Sequence, residues 1–135
     1  MITEDDALRA ARRSMRGAFS WGDADCASAA CAAFALLHGV DPLGPVRGTY
    51  DTAAGAWAIV AAAGGYQPWC AARFAEAGLV ESDAPGSGDL VMVPGREPFG
   101  LALALCIRPG LAVLKGEGGP AFWWGTMTEG WTCLS

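Results

Sequence analysis

Trp21-Gly22-Asp23-Ala24-Asp25-Cys26-Ala27-Ser28-Ala29-Ala30-Cys31-Ala32-Ala33-Phe34-Ala35-Leu36-Leu37-His38-Gly39 joins a glycine-bearing turn to a long alanine-rich run. The run predicts a helix from about Ala24 to His38, stopped by Gly39. Its small side chains let neighbours approach closely, which marks it as the central buried helix. Upstream, Glu4 to Arg16 reads as an amphipathic helix. Thr3 is its N-cap, Asp5 and Asp6 suit the positive end of the dipole, and Leu8, Ala11 and Met15 recur on one face. Gly17 ends it. Downstream, a loop from Gly39 to Thr49 holds Asp41-Pro42 and Gly44-Pro45. A third helix spans about Thr52 to Ala63, with Trp57 and Val60 on its apolar side and Gly64-Gly65 as its stop. A shorter one, from about Pro68 to Ala77, ends at Gly78.

The character changes after Pro85. Gly86-Ser87-Gly88 reads as a turn, and Asp89 to Val93 and Phe99 to Ile107 as strands. Pro109-Gly110 turns the chain into Leu111 to Lys115, and Gly116 to Pro120 turns it into Ala121 to Trp124. Trp131 to Leu134 is placed to close the sheet. Short strands at this spacing predict an antiparallel sheet, with a small curled barrel as its closed form. Helices first and strands after is the α+β pattern. The expected architecture is N-terminal helices packed on a C-terminal antiparallel sheet, in one domain covering residues 1–135.

Of the 135 residues, 53 % are hydrophobic, an apolar balance for a chain of this length. Such a surplus implies that some surface is buried against a partner. The apolar runs Cys26 to Leu37, Ala53 to Ala63 and Phe99 to Ile107 all fall short of the roughly 18 residues a membrane span needs. The acidic start, Met1-Ile2-Thr3-Glu4-Asp5-Asp6, does not read as a secretory signal. A net charge of −5 argues against nucleic acid as a partner. The main basic cluster, Arg9, Arg12, Arg13 and Arg16, lies on one side of the first helix, either as a solvated face or as a dock for an acidic protein. The five cysteines are scattered and form no C-x-x-C pair, so neither a metal site nor a redox motif is signalled, and no cofactor motif is read. Four of them read as small buried residues.

Cys26 differs because it opens a helix. The unpaired amides and dipole of a helix start favour a thiolate and could also bind a developing oxyanion. Gly22 permits a tight approach of backbone just before it. In these features the chain resembles the NlpC-type cell-wall peptidases of the papain-like superfamily. In those, an Asp-Cys pair at a helix start carries the nucleophile, matched here by Asp25-Cys26. Gly88-Asp89-Leu90-Val91 is similar to their Gly-Asp-Leu/Val strand. Their next strand begins His-Val-Gly, with the histidine as general base. This chain has Pro98-Phe99-Gly100, with Pro98 at the histidine position.

A narrower resemblance covers nearly the whole chain. Small NlpC-like proteins encoded near the tail genes of tailed phages and gene transfer agents share an ordered set of motifs. The matches here are Trp21 to Cys26, Gly39-Val40-Asp41-Pro42, Arg47-Gly48-Thr49-Tyr50, Gly64-Gly65, Gly88 to Val91, and Trp131. What this implies is a virion component made in the host cytoplasm and placed in the tail tip.

The only histidine, His38, follows Cys26 by twelve residues on one helix, about 18 Å along its axis. A base must come within about 3 Å, so His38 is expected to serve the helix end instead. Asp23, Asp25 and Asp89 are poor bases for a thiol and would oppose a thiolate by like charge. Cys26 therefore reads either as an inherited structural cysteine or as a nucleophile with a borrowed base. Arg47 and Tyr50 read either as ties within their loop or as anchors on a partner. Trp123, Trp124 and Trp131 read as core or interface. The adjacent pair must point to opposite faces of a strand, so one of them is expected to leave the core.

Three functions follow from the resemblance. The first is a catalytically degenerate structural component of a phage or phage-like tail tip or baseplate, bound to tail hub or tip proteins. The second is an active cysteine peptidase or amidase cutting peptidoglycan stem peptides. The third is a module that binds cell-wall peptide without cutting it.

Overall fold

A computed structural model describes residues 1–134. Four helices come first: α1 (Glu4–Ser14), α2 (Cys26–His38), α3 (Ala53–Ala62) and α4 (Tyr66–Glu76). Six strands follow: β1 (Leu79–Ser82), β2 (Leu90–Pro94), β3 (Leu101–Arg108), β4 (Leu111–Lys115), β5 (Pro120–Trp124) and β6 (Gly130–Cys133). The fold is α+β, with the helices packed on one antiparallel sheet of order β1-β6-β2-β3-β4-β5.

Local chemistry sets the helix limits. The Thr3 hydroxyl accepts from the Asp6 amide, and the Asp6 carboxylate accepts from the Thr3 amide, a reciprocal capping box that starts α1. Asp25 caps α2 and Thr52 caps α3 through their side chains. Gly39 closes α2 in the left-handed region, at φ +75°.

The sheet is buried on both faces, and β3 shows how. Leu103, Leu105 and Ile107 point to the helices, where they join Phe34, Phe74, the α1 residues Ala7 and Ala11, and the C-cap Met15. Ala102, Ala104 and Cys106 point the other way and form a second cluster with Val91, Val93, Ala112 and Met127, against which Trp123 packs. Large residues thus face the helix layer and mostly small ones face the opposite side. A register shift between Cys106 and Arg108 interrupts the β3–β4 ladder, as a bulge that bends a strand does.

One expectation is corrected, one strand is new, and one open reading is decided. The sheet is open: β1 and β5 are its edges and do not pair among the described residues, so no barrel forms. β1 itself was not legible, because its four residues lack a clear alternation and sit between a helix and the Pro85 break. It pairs with β6, which also pairs with β2. Trp131 is not available to a partner. It is 1 % exposed and packs edge-on against Phe74 at 4.8 Å, because β6 lies inside the sheet rather than at its margin.

Truncating these two tryptophans separates core from surface. Trp131→Ala is expected to cost about 3–5 kcal/mol in denaturant unfolding. Trp124→Ala, at a side chain 65 % exposed, is expected to stay within about 0.5 kcal/mol of the parent.

Candidate functional site

The turn before α2 is held by one carboxylate. Asp25 is 2 % exposed. Its Oδ1 accepts from the Ser28 amide at 2.8 Å, and its Oδ2 accepts from the Gly22 amide at 2.8 Å and the Tyr50 hydroxyl at 2.7 Å. Gly22 has φ +85°, and a Cβ there would overlap the Tyr50 carbonyl oxygen. Only glycine fits. The Tyr50 hydroxyl is pushed up by burial and by the neighbouring Asp25 charge, so it stays a protonated donor.

The preceding loop is fastened to the same helix. Arg47 donates to both oxygens of Asp41, at 2.6 and 3.1 Å, and to the Ser28 carbonyl at 3.1 Å. Asp41 also accepts from the Leu43 amide. Asp25, Asp41, Arg47 and Tyr50, drawn from three separate sequence motifs, therefore form one network with Ser28 around the first turn of α2. Arg47 and Tyr50 direct their polar ends into this network rather than outward.

Cys26 sits at the first position of α2, and its thiol donates to the Lys115 carbonyl oxygen at 3.6 Å. It borders a cleft of about 690 Å³ between the Trp21 turn, α3, α4 and the β2–β3 and β4–β5 connections. Aromatic side chains build one wall. Phe99 stacks on Trp21 at 5.6 Å and meets the rings of Trp57 and Tyr66 edge-on at 5.6 and 5.9 Å. Pro98, at the position where the resemblance implies a histidine, lines the same cleft.

The helix start does not yield a thiolate. Burial and the adjacent Asp25 charge push the Cys26 thiol up to about 11, against a smaller opposing pull from Lys115. The lowered value expected from the dipole is overturned because the capping carboxylate belongs to the neighbouring residue and the sulfur is largely out of water. His38 is engaged elsewhere: its ring Nε2 donates to the Gly88 carbonyl at 2.9 Å, and the ring lies against Phe34. It ties the end of α2 to the turn before β2.

Trp123 and Trp124 are far from this network in the chain and sit on β5, on opposite faces. Trp123 is half-buried against the second apolar cluster. Trp124 is exposed, with the Arg108 guanidinium 5.4 Å above its ring.

Sequence reasoning missed Phe99 and Lys115. Phe99 was readable only as part of a strand, although it follows the Pro98 substitution directly. Lys115 is the only lysine in the chain. It is 3 % exposed, and its ammonium donates to the Gly17 and Gly116 carbonyls, pinning the segment after α1 to the end of β4. A lone lysine ending an apolar strand was the available signal.

Residues 3–133 match the sequence profile of a domain family of unknown function, DUF6950. The chain belongs to that family. No curated protein and no solved structure matches it. Within this DUF6950 domain the described residues offer no group of three or more acidic, histidine or cysteine side chains able to hold a metal ion. No described helix is long and apolar enough to cross a membrane.

Two measurements probe the DUF6950 network and its thiol. Asp25→Ala removes the acceptor of three hydrogen bonds and is expected to cost about 3 kcal/mol or more, against about 1 kcal/mol for Tyr50→Phe, in equilibrium unfolding. Alkylation of Cys26 by iodoacetamide, mapped by mass spectrometry, should be slow at neutral pH. Only the thiolate reacts, so its rate should climb about tenfold per pH unit up to the thiol value near 11. A rate that levels off near pH 7 would contradict the buried, carboxylate-flanked thiol.

Proposed function

We propose that this chain is a catalytically silent domain of papain-like ancestry that serves as a structural component in the tail tip or baseplate of a phage or phage-like particle. Made in the host cytoplasm, it would be carried in the virion on tail hub or tip proteins. The observation that carries the silent half is the state of Cys26. Its thiol is held protonated, it donates to a carbonyl, and the one histidine is bonded to Gly88 at the other end of the helix. Asp25 cannot serve as base, since its carboxylate already accepts three hydrogen bonds. The assembly half draws on the ordered motifs shared with small NlpC-like proteins encoded near tail genes.

One observation favours a second reading. A cleft of about 690 Å³, walled by Trp21, Tyr66 and Phe99, has the size and apolar lining of a ligand site. A module that holds cell-wall peptide without cutting it would use the same cleft with the same inert thiol.

Purified protein is expected to leave peptidoglycan stem peptides uncut at every pH from 6 to 9 on the order of a day. Cys26→Ala should enter particles as well as the parent does when co-expressed with the neighbouring tail genes. Turnover that disappears in Cys26→Ala would replace this reading with an active peptidase. Saturable binding of a stem peptide without turnover, together with failure to enter particles, would favour the binding module.

A further inference from the structure

The two edges of the sheet are built differently. β1 is short and carries the exposed Glu81, which discourages a further strand. β5 carries no charge between Ala121 and Trp124, and its outer side has no strand partner among the described residues. Its only proline, Pro120, is the first residue, where it does not interrupt the ladder. Two aromatic side chains, Phe122 and Trp124, are 52 % and 65 % exposed on one face of this strand. That face is the helix side of the sheet, since Phe122 pairs with Val113 and Trp124 with Leu111, both members of the helix-side core. The helix layer stops short of them.

The helix that packs on β4, next to this edge, carries unpaired positive charge beyond its acidic first turn. α1 lies along β3 and β4. At one end Glu4 pairs with Arg108, whose guanidinium covers Trp124. At the other end Lys115, which pairs with Pro120, holds the Gly17 carbonyl. Between these ties α1 exposes Arg9, Arg12 and Arg13, and Arg16 follows just past its end; none of the four forms an ion pair among the described residues. In a chain of net charge −5, these unpaired arginines lie on the solvent side of a helix that packs on β4, the strand next to the open edge.

From this juxtaposition we propose that β5 is a docking edge for an acidic strand of a partner protein, which adds to the sheet as a seventh strand. The free backbone groups of β5 would give the register, Phe122 and Trp124 would cover the apolar side chains of the incoming strand, and the α1 arginines would meet its carboxylates. A second copy of this chain is the poorer occupant. Pairing β5 with β5 would bring two arginine ridges to the same face of one continuous sheet, with repulsion where the partner should be acidic. The inference rests on the reading of the chain as an assembly component and names the surface that role would use.

The test uses the full chain and synthetic peptides of alternating valine and glutamate, with lysine-for-glutamate and backbone N-methylated versions, followed by fluorescence anisotropy. The glutamate peptide is expected to bind in the range of roughly 10–500 μM, more weakly as salt rises. The N-methylated peptide should lose binding, because it cannot donate to the edge. Phe122→Ser with Trp124→Ser should weaken binding about tenfold, as should Arg12→Gln with Arg13→Gln, with unchanged circular dichroism. Equal binding of the glutamate and lysine peptides, or none of the glutamate peptide at about 1 mM, overturns the proposal. So does a concentration-dependent dimer that Phe122→Ser with Trp124→Ser dissolves. If that double variant enters particles as the parent does while the peptides fail, the edge is not the docking surface and the structural role stands.

Discussion

The carboxylate of Asp25 organises everything around the start of α2. It accepts from Gly22 on the turn before the helix, from Ser28 inside the first turn, and from Tyr50 on the loop that follows the helix. A buried carboxylate is costly unless its lone pairs are filled, and here three donors fill them. The donors are thereby locked in turn. Tyr50 brings its own carbonyl against Gly22, which is why that position must lack a side chain. Arg47 then closes the loop onto Asp41 and the Ser28 carbonyl. Burial raises the Cys26 thiol, and the same charge, one residue away, raises it further. The carboxylate that caps the helix start thus adds to what burial does in keeping the sulfur protonated.

The sheet accounts for most of the apolar surplus. Its central strands bury both faces, large side chains toward the helices and small ones on the other side. A one-faced sheet of this length would need far fewer apolar residues. The composition therefore reflects internal packing more than a large sticky exterior. What is left outside is specific: Phe122, Trp124, Trp57, Leu36 and Val80 are the large apolar residues exposed within the elements. Only Phe122 and Trp124 sit together on an uncharged strand edge.

The cleft joins these two systems. One side is the Cys26 turn held by Asp25, and another is the aromatic group around Phe99 in the connection before β3. Pro98 and the packed Phe99 ring make an aromatic pocket beside a thiol that burial keeps protonated, with a lining suited to holding an apolar group.

Much of this was legible in the sequence, because it is local. Caps, stop glycines and apolar periodicity act within a few residues, so α1, α2 and the helix-then-strand order could be read directly, as could the place of Cys26 at a helix start. The alternation along β5 also told that Trp123 and Trp124 part to opposite faces. Long-range contacts decided the rest. That Trp131 is core depends on β6 lying between β1 and β2. That the Cys26 thiol is raised depends on burial by segments far along the chain, against a dipole that acts alone in a sequence reading. That Asp25, Arg47 and Tyr50 form one network depends on a loop folding back onto its helix. Hydrogen bonds and burial are set by which residues meet, and a sequence states the order of its residues but not their meetings; these the tertiary packing alone determined.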